Sequence, residues 1–133
     1  MIYGIGVDLI EIARIEAACA RFGDRFARRI LTERELERWN ARRARSEARG
    51  IAYLATRFAA KEAISKALGL GMRTPMTWRA VEIVNDPSGR PIAAAHGDLQ
   101  AHLQSRRLRL HVSLTDERLM ATAYAIAEVE GTA

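Results

Sequence analysis

The stretch Arg57-Phe58-Ala59-Ala60-Lys61-Glu62-Ala63-Ile64-Ser65-Lys66, closed by Gly69-Leu70-Gly71, constrains this chain more than any other. An Ala-rich run with a glycine stop predicts a helix over about 51–68, followed by a turn at Thr74-Pro75. The run holds both lysines of the protein, while the other 19 cationic side chains are arginine. A compact ammonium kept beside a carboxylate in an arginine-biased chain points to a position where guanidinium does not serve. At about 100° per residue, Phe58, Glu62 and Lys66 share one side of this helix with Ser65 beside them. Glu62 placed four residues before Lys66 is equally the favourable order for a surface ion pair with no function.

The order of elements around this helix follows from local pattern. Residues 3–9 read as a strand ending at Asp8. Asp8 with Glu11 has the form of a capping box, so Asp8 is either an N-cap or a metal or phosphate ligand presented at a strand end. From Ile12 the apolar residues Ile15, Cys19, Phe22 and Phe26 recur at intervals of three and four, while Arg14, Arg21, Arg25 and Arg28 form a separate strip, with a break expected at Gly23-Asp24. That strip is an ordinary solvated face or a docking surface for an acidic partner. Thr32 with Glu35 is a second capping box opening a helix through Trp39, and the polar residues 42–50 read as a loop or frayed end. Further on, strands are expected over 80–84 and 90–94 about the turn Asn85-Asp86-Pro87-Ser88-Gly89. A short helix capped by Asp98 and two last strands complete the chain. Strict alternation over 108–114 places Arg109, His111 and Ser113 on the polar face, where a lone histidine is solvated or functional. Helices gathered early and antiparallel strands late predict an α+β fold, an antiparallel sheet packed on the long central helix.

At 133 residues the chain is expected to form one domain, 1–133, burying roughly two thirds of the surface its unfolded form exposes. A single cysteine excludes an internal disulfide framework and fits a reducing compartment; its place on the apolar stripe suits a buried thiol better than a nucleophile. No apolar run approaches the ~18 residues of a membrane span and the start lacks the pattern of a signal peptide, so a cytoplasmic chain is expected. The net charge of +5 selects an anionic partner: nucleic acid, a phosphorylated small molecule or an acidic protein. Aromatic residues make up only 6 % of the chain and acids are interspersed among the bases, which argues against a single-strand-binding module.

Two motifs, Gly6-Val7-Asp8 and Phe58-Ala59-Ala60-Lys61-Glu62-Ala63-Ile64-Ser65-Lys66, in that order and about fifty residues apart, resemble the holo-acyl-carrier-protein synthase type of 4′-phosphopantetheinyl transferase. The likeness extends through Glu11 to Ile15, Arg29 to Thr32, Gly89-Arg90-Pro91 and His111 to Leu114. It implies Mg²⁺-dependent transfer of the phosphopantetheine arm of coenzyme A to a serine of an acyl carrier protein, in support of fatty acid biosynthesis. It further implies Mg²⁺ at Asp8 and Glu62, Lys66 near the phosphates, and Glu62 as base for the serine hydroxyl, directly or through water. By the same resemblance, Arg49, Arg57, Phe58, Ser65, Lys66, Gly71, Arg90, Pro91 and His111 line the coenzyme A site. Arg14, Arg21 and Arg25 match carrier-protein-docking positions, and Arg28 joins them by periodicity. Gly-Arg-Pro stands where many relatives have Gly-Lys-Pro, Ala52 stands at a position acidic in some of them, and Asp116, histidine in many, is given no role. Double-length relatives resemble two such modules with the site between them, which implies a homotrimer with shared sites. A carrier-protein or coenzyme A-binding member without turnover and a basic nucleic-acid-binding module are the alternatives.

Overall fold

The computed structural model describes residues 1–131; Thr132 and Ala133, the last two residues of the expected domain, lie outside them. Ten elements follow one another: β1 (Ile2–Glu11), α1 (Ile12–Phe22), α2 (Asp24–Ile30), α3 (Glu33–Arg45), α4 (Glu47–Leu68), β2 (Val81–Asn85), β3 (Pro91–Ala95), α5 (Gly97–Arg106), β4 (Leu108–Asp116) and β5 (Met120–Val129). A 3₁₀ turn at Trp78–Ala80 precedes β2. The α+β architecture is as expected. The strands, however, form two antiparallel sheets: a three-stranded one in the order β1-β5-β4 and a separate β2-β3 hairpin.

Small side chains explain how the large sheet meets α4. The β5 residues facing inward are Ala121, Ala123, Ala125 and Ala127, all buried, and they pair across from Ile10, Asp8, Gly6 and Gly4 of β1. A Cβ on Gly6 would stand 1.9 Å from the Ala63 carbonyl oxygen, and one on Gly4 2.0 Å from that of Ala67. Only glycine lets β1 rest on the backbone of α4. The helix is buried on nearly all sides, against this sheet and against α3, and so occupies the centre.

Several local readings change. The Asp8–Glu11 pattern is not a capping box: β1 runs three residues beyond Asp8, Glu11 is the N-cap of α1, and no side chain caps it. Residues 42–50 are not a loop, because Ser46 accepts a hydrogen bond from the Arg49 amide and starts α4 directly after α3. Asp98 lies in the first turn of α5, whose N-cap is His96. Phe22 is exposed rather than part of the buried stripe, its ring 5.1 Å below the Arg21 guanidinium. The Thr32–Glu35 capping box is present and does more than cap. Glu35 Oε1 accepts from the Thr32 amide and from Lys61 Nζ at 2.6 Å, while its Oε2 accepts from the Ile83 amide at 2.8 Å. Lys61 also donates to the Ile30 carbonyl, and neither partner of the ion pair is more than 1 % exposed.

Candidate active site

β1 carries Asp8 onto the inward face of the sheet, beside the last turns of α4. There Lys66 Nζ donates to the Val7 carbonyl at 2.9 Å and lies 3.3 Å from Asp8 Oδ1. Lys66 thus turns to β1, and the ion pair it makes is with Asp8 rather than with Glu62. Glu62 sits half-buried one turn earlier. Burial, and next the negative charge of Asp8, push its carboxyl above the usual carboxylate range, with Lys66 pulling the other way. Two carboxylates close enough to repel, with an ammonium at their edge, form a set of hard oxygen ligands. That set fits Mg²⁺, which takes one or two carboxylates and completes its shell with water and substrate oxygens.

Phe58, one turn before Glu62, stacks on Trp78 at 4.8 Å and on Phe26 at 6.3 Å between centroids. Phe26 therefore joins an aromatic wall beside the carboxylates. Ser65 is 1 % exposed and its hydroxyl donates to the Glu62 carbonyl, so in this chain it faces its own helix and not a solvent-open pocket. Gly71, with φ of +65°, closes the helix end, its amide 3.3 Å from the Ser65 carbonyl oxygen.

The remaining residues of the expected coenzyme A site lie elsewhere. Arg49, Arg57 and Pro91 line a cavity of about 350 Å³ together with Arg42 and Tyr53, while Arg90, Pro91 and His111 line another of about 580 Å³. His111 Nε2 is 2.9 Å from Glu128 Oε1 on the solvent side of the sheet. Arg49 and Glu62 are thirteen residues apart on α4, about 20 Å at 1.5 Å per residue. The expected residues thus fall into two groups, one acidic and one cationic. Arg42 and Tyr53, not among the expected residues, also line the first cavity: the i, i+4 spacing of Tyr53 and Arg57 was a usable signal, but only tertiary structure brings in Arg42 from α3.

Arg14 and Arg21 on α1 and Arg25 and Arg28 on α2 are all exposed and make no ion pair among the described residues. Gly23, at φ of +63°, breaks the helix between them as expected, so the helical phase that groups them holds only within each helix.

A family model for the 4′-phosphopantetheinyl transferase superfamily matches residues 4–127. The chain is 58 % identical over 133 residues to a holo-[acyl-carrier-protein] synthase of Cupriavidus taiwanensis, covering all of this chain and 95 % of that one. With the corresponding protein of Herminiimonas arsenicoxydans the identity is 58 % over 128 residues, 96 % of this chain and 98 % of that one. The crystal structure of holo-[acyl-carrier-protein] synthase from Neisseria meningitidis superposes with a TM-score of 0.89 at 37 % identity, covering 96 % of this chain and 99 % of that one. The enzyme from Bacillus anthracis, solved in complex with CoA (3′,5′-ADP), gives 0.80 at 35 %, covering 98 % and 99 %.

Proposed function

The chain belongs to the 4′-phosphopantetheinyl transferase superfamily, and from that premise we propose how its own residues perform the transfer. The reaction moves the 4′-phosphopantetheine arm of coenzyme A to a serine of apo-acyl carrier protein and releases adenosine 3′,5′-bisphosphate. The observation that carries the assignment of roles is the Asp8–Glu62 pair with Lys66 at its edge. The serine hydroxyl attacks the phosphorus that bears the pantetheine arm, its proton passing to Glu62 directly or through a water, while the bond to the bisphosphate leaving group breaks. The raised carboxyl of Glu62 suits a base. Lys66 offers a point charge to the leaving oxygens, and Asp8 holds Lys66 in place. Mg²⁺, held by Asp8 and Glu62, would neutralise charge on the pyrophosphate. Phe58 would wall the reacting arm, and Arg49, Arg57, Arg90, Pro91, Gly71 and His111 would hold the nucleotide; Ser65 would need its hydroxyl to turn away from the Glu62 carbonyl to join them. The whole chain, 1–133, would act as one cytoplasmic transferase domain.

The test is an intact-mass assay with apo-acyl carrier protein, coenzyme A and Mg²⁺, and an EDTA control. A gain of one phosphopantetheine arm, absent with EDTA, is expected. No gain from a folded enzyme and a competent carrier would sink the reading.

The same domain would assemble as a homotrimer. Tyr3, Ile5, Val7 and Leu9 of β1 and Tyr124 and Ile126 of β5 are exposed on the sheet face away from α4, with Ile5 paired to Ile126 and Val7 to Tyr124. An apolar sheet face of this kind is a partner surface, and a second copy seated on it could bring its cationic half-site to the acidic one. Sedimentation should give about three times the 14.8 kDa chain mass, and a monomer at working concentration would exclude the arrangement.

Arg14, Arg21, Arg25 and Arg28 would dock the acidic carrier protein. Charge reversal of Arg14 and Arg21 is expected to raise KM for the carrier roughly ten-fold or more at low salt, with KM for coenzyme A unchanged. Equal changes in both constants would remove the docking role.

A further inference from the structure

We propose that Asp24 and Arg43 form a clamp that sets the direction of α2, which makes Asp24 a positioning residue for the carrier protein, acting through Arg25 and Arg28. The inference rests on the reading that these arginines dock the carrier. α2 follows α1 through one residue, Gly23, at φ of +63°, and nothing lies within 4 Å of where its Cβ would stand. Such a junction leaves the angle between the two helices free, so the direction of α2 is fixed from elsewhere. Ala27 and Ile30 bury the middle and the end of α2, while Asp24 and Arg25 at its start are exposed.

Arg43 of α3 donates to both carboxylate oxygens of Asp24, Nη1 to Oδ1 and Nη2 to Oδ2, each at 2.9 Å. Arg43 is itself held. Its Nε donates to Asn40 Oδ1 at 3.0 Å, its guanidinium lies 3.9 Å from the centroid of the buried Trp39 ring, and Gly50 of α4 admits its Cβ. The hydrogen bonds from Arg43 keep the Asp24 carboxyl below its usual range, so the pair is ionised at neutral pH. Both side chains are more than a third open to water, 38 % for Arg43 and 47 % for Asp24, and an ion pair at such a place contributes little to stability. What a two-bond fork adds there is geometry. It ties the first turn of α2 to α3 and so aims Arg25 and Arg28. Asp24 is the only acid in α2, and its charge by itself opposes an acidic partner, which leaves the aiming of the helix as what it offers.

Steady-state kinetics of Asp24→Asn, with carrier protein and coenzyme A varied in turn, separate aim from charge. Charge alone predicts that removing an acid beside the strip lowers KM for the acidic carrier. The clamp predicts the opposite, a rise of roughly three- to ten-fold, with kcat and KM for coenzyme A unchanged and a melting temperature within about 4 °C of native. Arg43→Gln should give the same rise, and the double variant no more than either. In an Arg25→Ala/Arg28→Ala background Asp24→Asn should have no effect, whereas beside Arg14→Ala its effect should persist. A carrier KM that stays or falls in Asp24→Asn, or that rises as much without Arg25 and Arg28, would overturn the clamp while leaving the docking strip in place. A native carrier KM in Arg25→Ala/Arg28→Ala itself would remove the docking role of α2, and the clamp with it.

Discussion

Glu62→Gln is expected to lower transfer by roughly a thousand-fold while making the metal-free chain more stable. The loss follows from removing a base, a contribution of about 10² to 10⁴, together with one of two carboxylates available to Mg²⁺. The gain follows from the sign of the shift. Burial and Asp8 raise the folded-state pKa of Glu62 above its unfolded value, so the folded chain binds the proton more tightly. The contribution of Glu62 is therefore fully present below its unfolded value and is lost as pH rises through its folded value. Glutamine keeps the shape and removes the charge. The rate is read from the mass assay at saturating Mg²⁺, and stability from thermal unfolding in EDTA at pH 7. Asp8→Asn should also suppress transfer, but it removes the partner of Lys66, so it lacks the stability gain. Full activity in the glutamine variant would show the base to be elsewhere. A chain that trades stability for a strained carboxylate pair is what a functional site on a rigid helix and strand predicts.

Local signals in the sequence were reliable where the structure that settles them is itself local. The Asn85 to Gly89 turn needs only its own residues, and the hairpin appears within a residue of expectation. Thr32 and Glu35 form their capping box three residues apart. Asp8 and Glu11 carry the same spacing and form none, because β5 pairs with β1 as far as Glu11, and that ladder outcompetes a helix start at Asp8. Polar residues 42–50 suggested a loop, but capping by Ser46 lets two helices abut, with Gly50 admitting the Arg43 side chain where a Cβ would stand 2.5 Å away. The Phe58, Glu62 and Lys66 face was legible from helical spacing. Lys66's bonds to Val7 and Asp8 were not, since they join residues nearly sixty apart. The division of the expected site was hidden by the reading of residues 42–50 as a loop: with Arg49 on α4, it and Glu62 belong to one helix and stand about 20 Å apart.

Lys61→Met is expected to destabilise the chain by about 3–5 kcal/mol, the cost of leaving a buried carboxylate without its cation. No position of the organising helix is read less well from sequence, since a lysine next to Glu62 suggests solvent or chemistry, whereas its ammonium lies wholly inside, held by Glu35 and the Ile30 carbonyl. Burial pulls the Lys61 pKa down and the Glu35 charge holds it up. The pair ties α4 to the start of α3, and Glu35 extends the tie to β2 through the Ile83 amide. For a domain of this size the change amounts to a fall in melting temperature of roughly 10–20 °C. Glu35→Gln added to Lys61→Met should recover part of the loss, because a neutral amide still has an oxygen for one of the two backbone donors and no longer buries an unpaired charge. Double-mutant thermal and denaturant unfolding measures that coupling. A single variant within 1 kcal/mol of native would mean that the pair does not anchor the helix carrying Glu62, and the position of that carboxylate against Asp8 would then have to depend on the glycine-to-backbone packing of β1 alone.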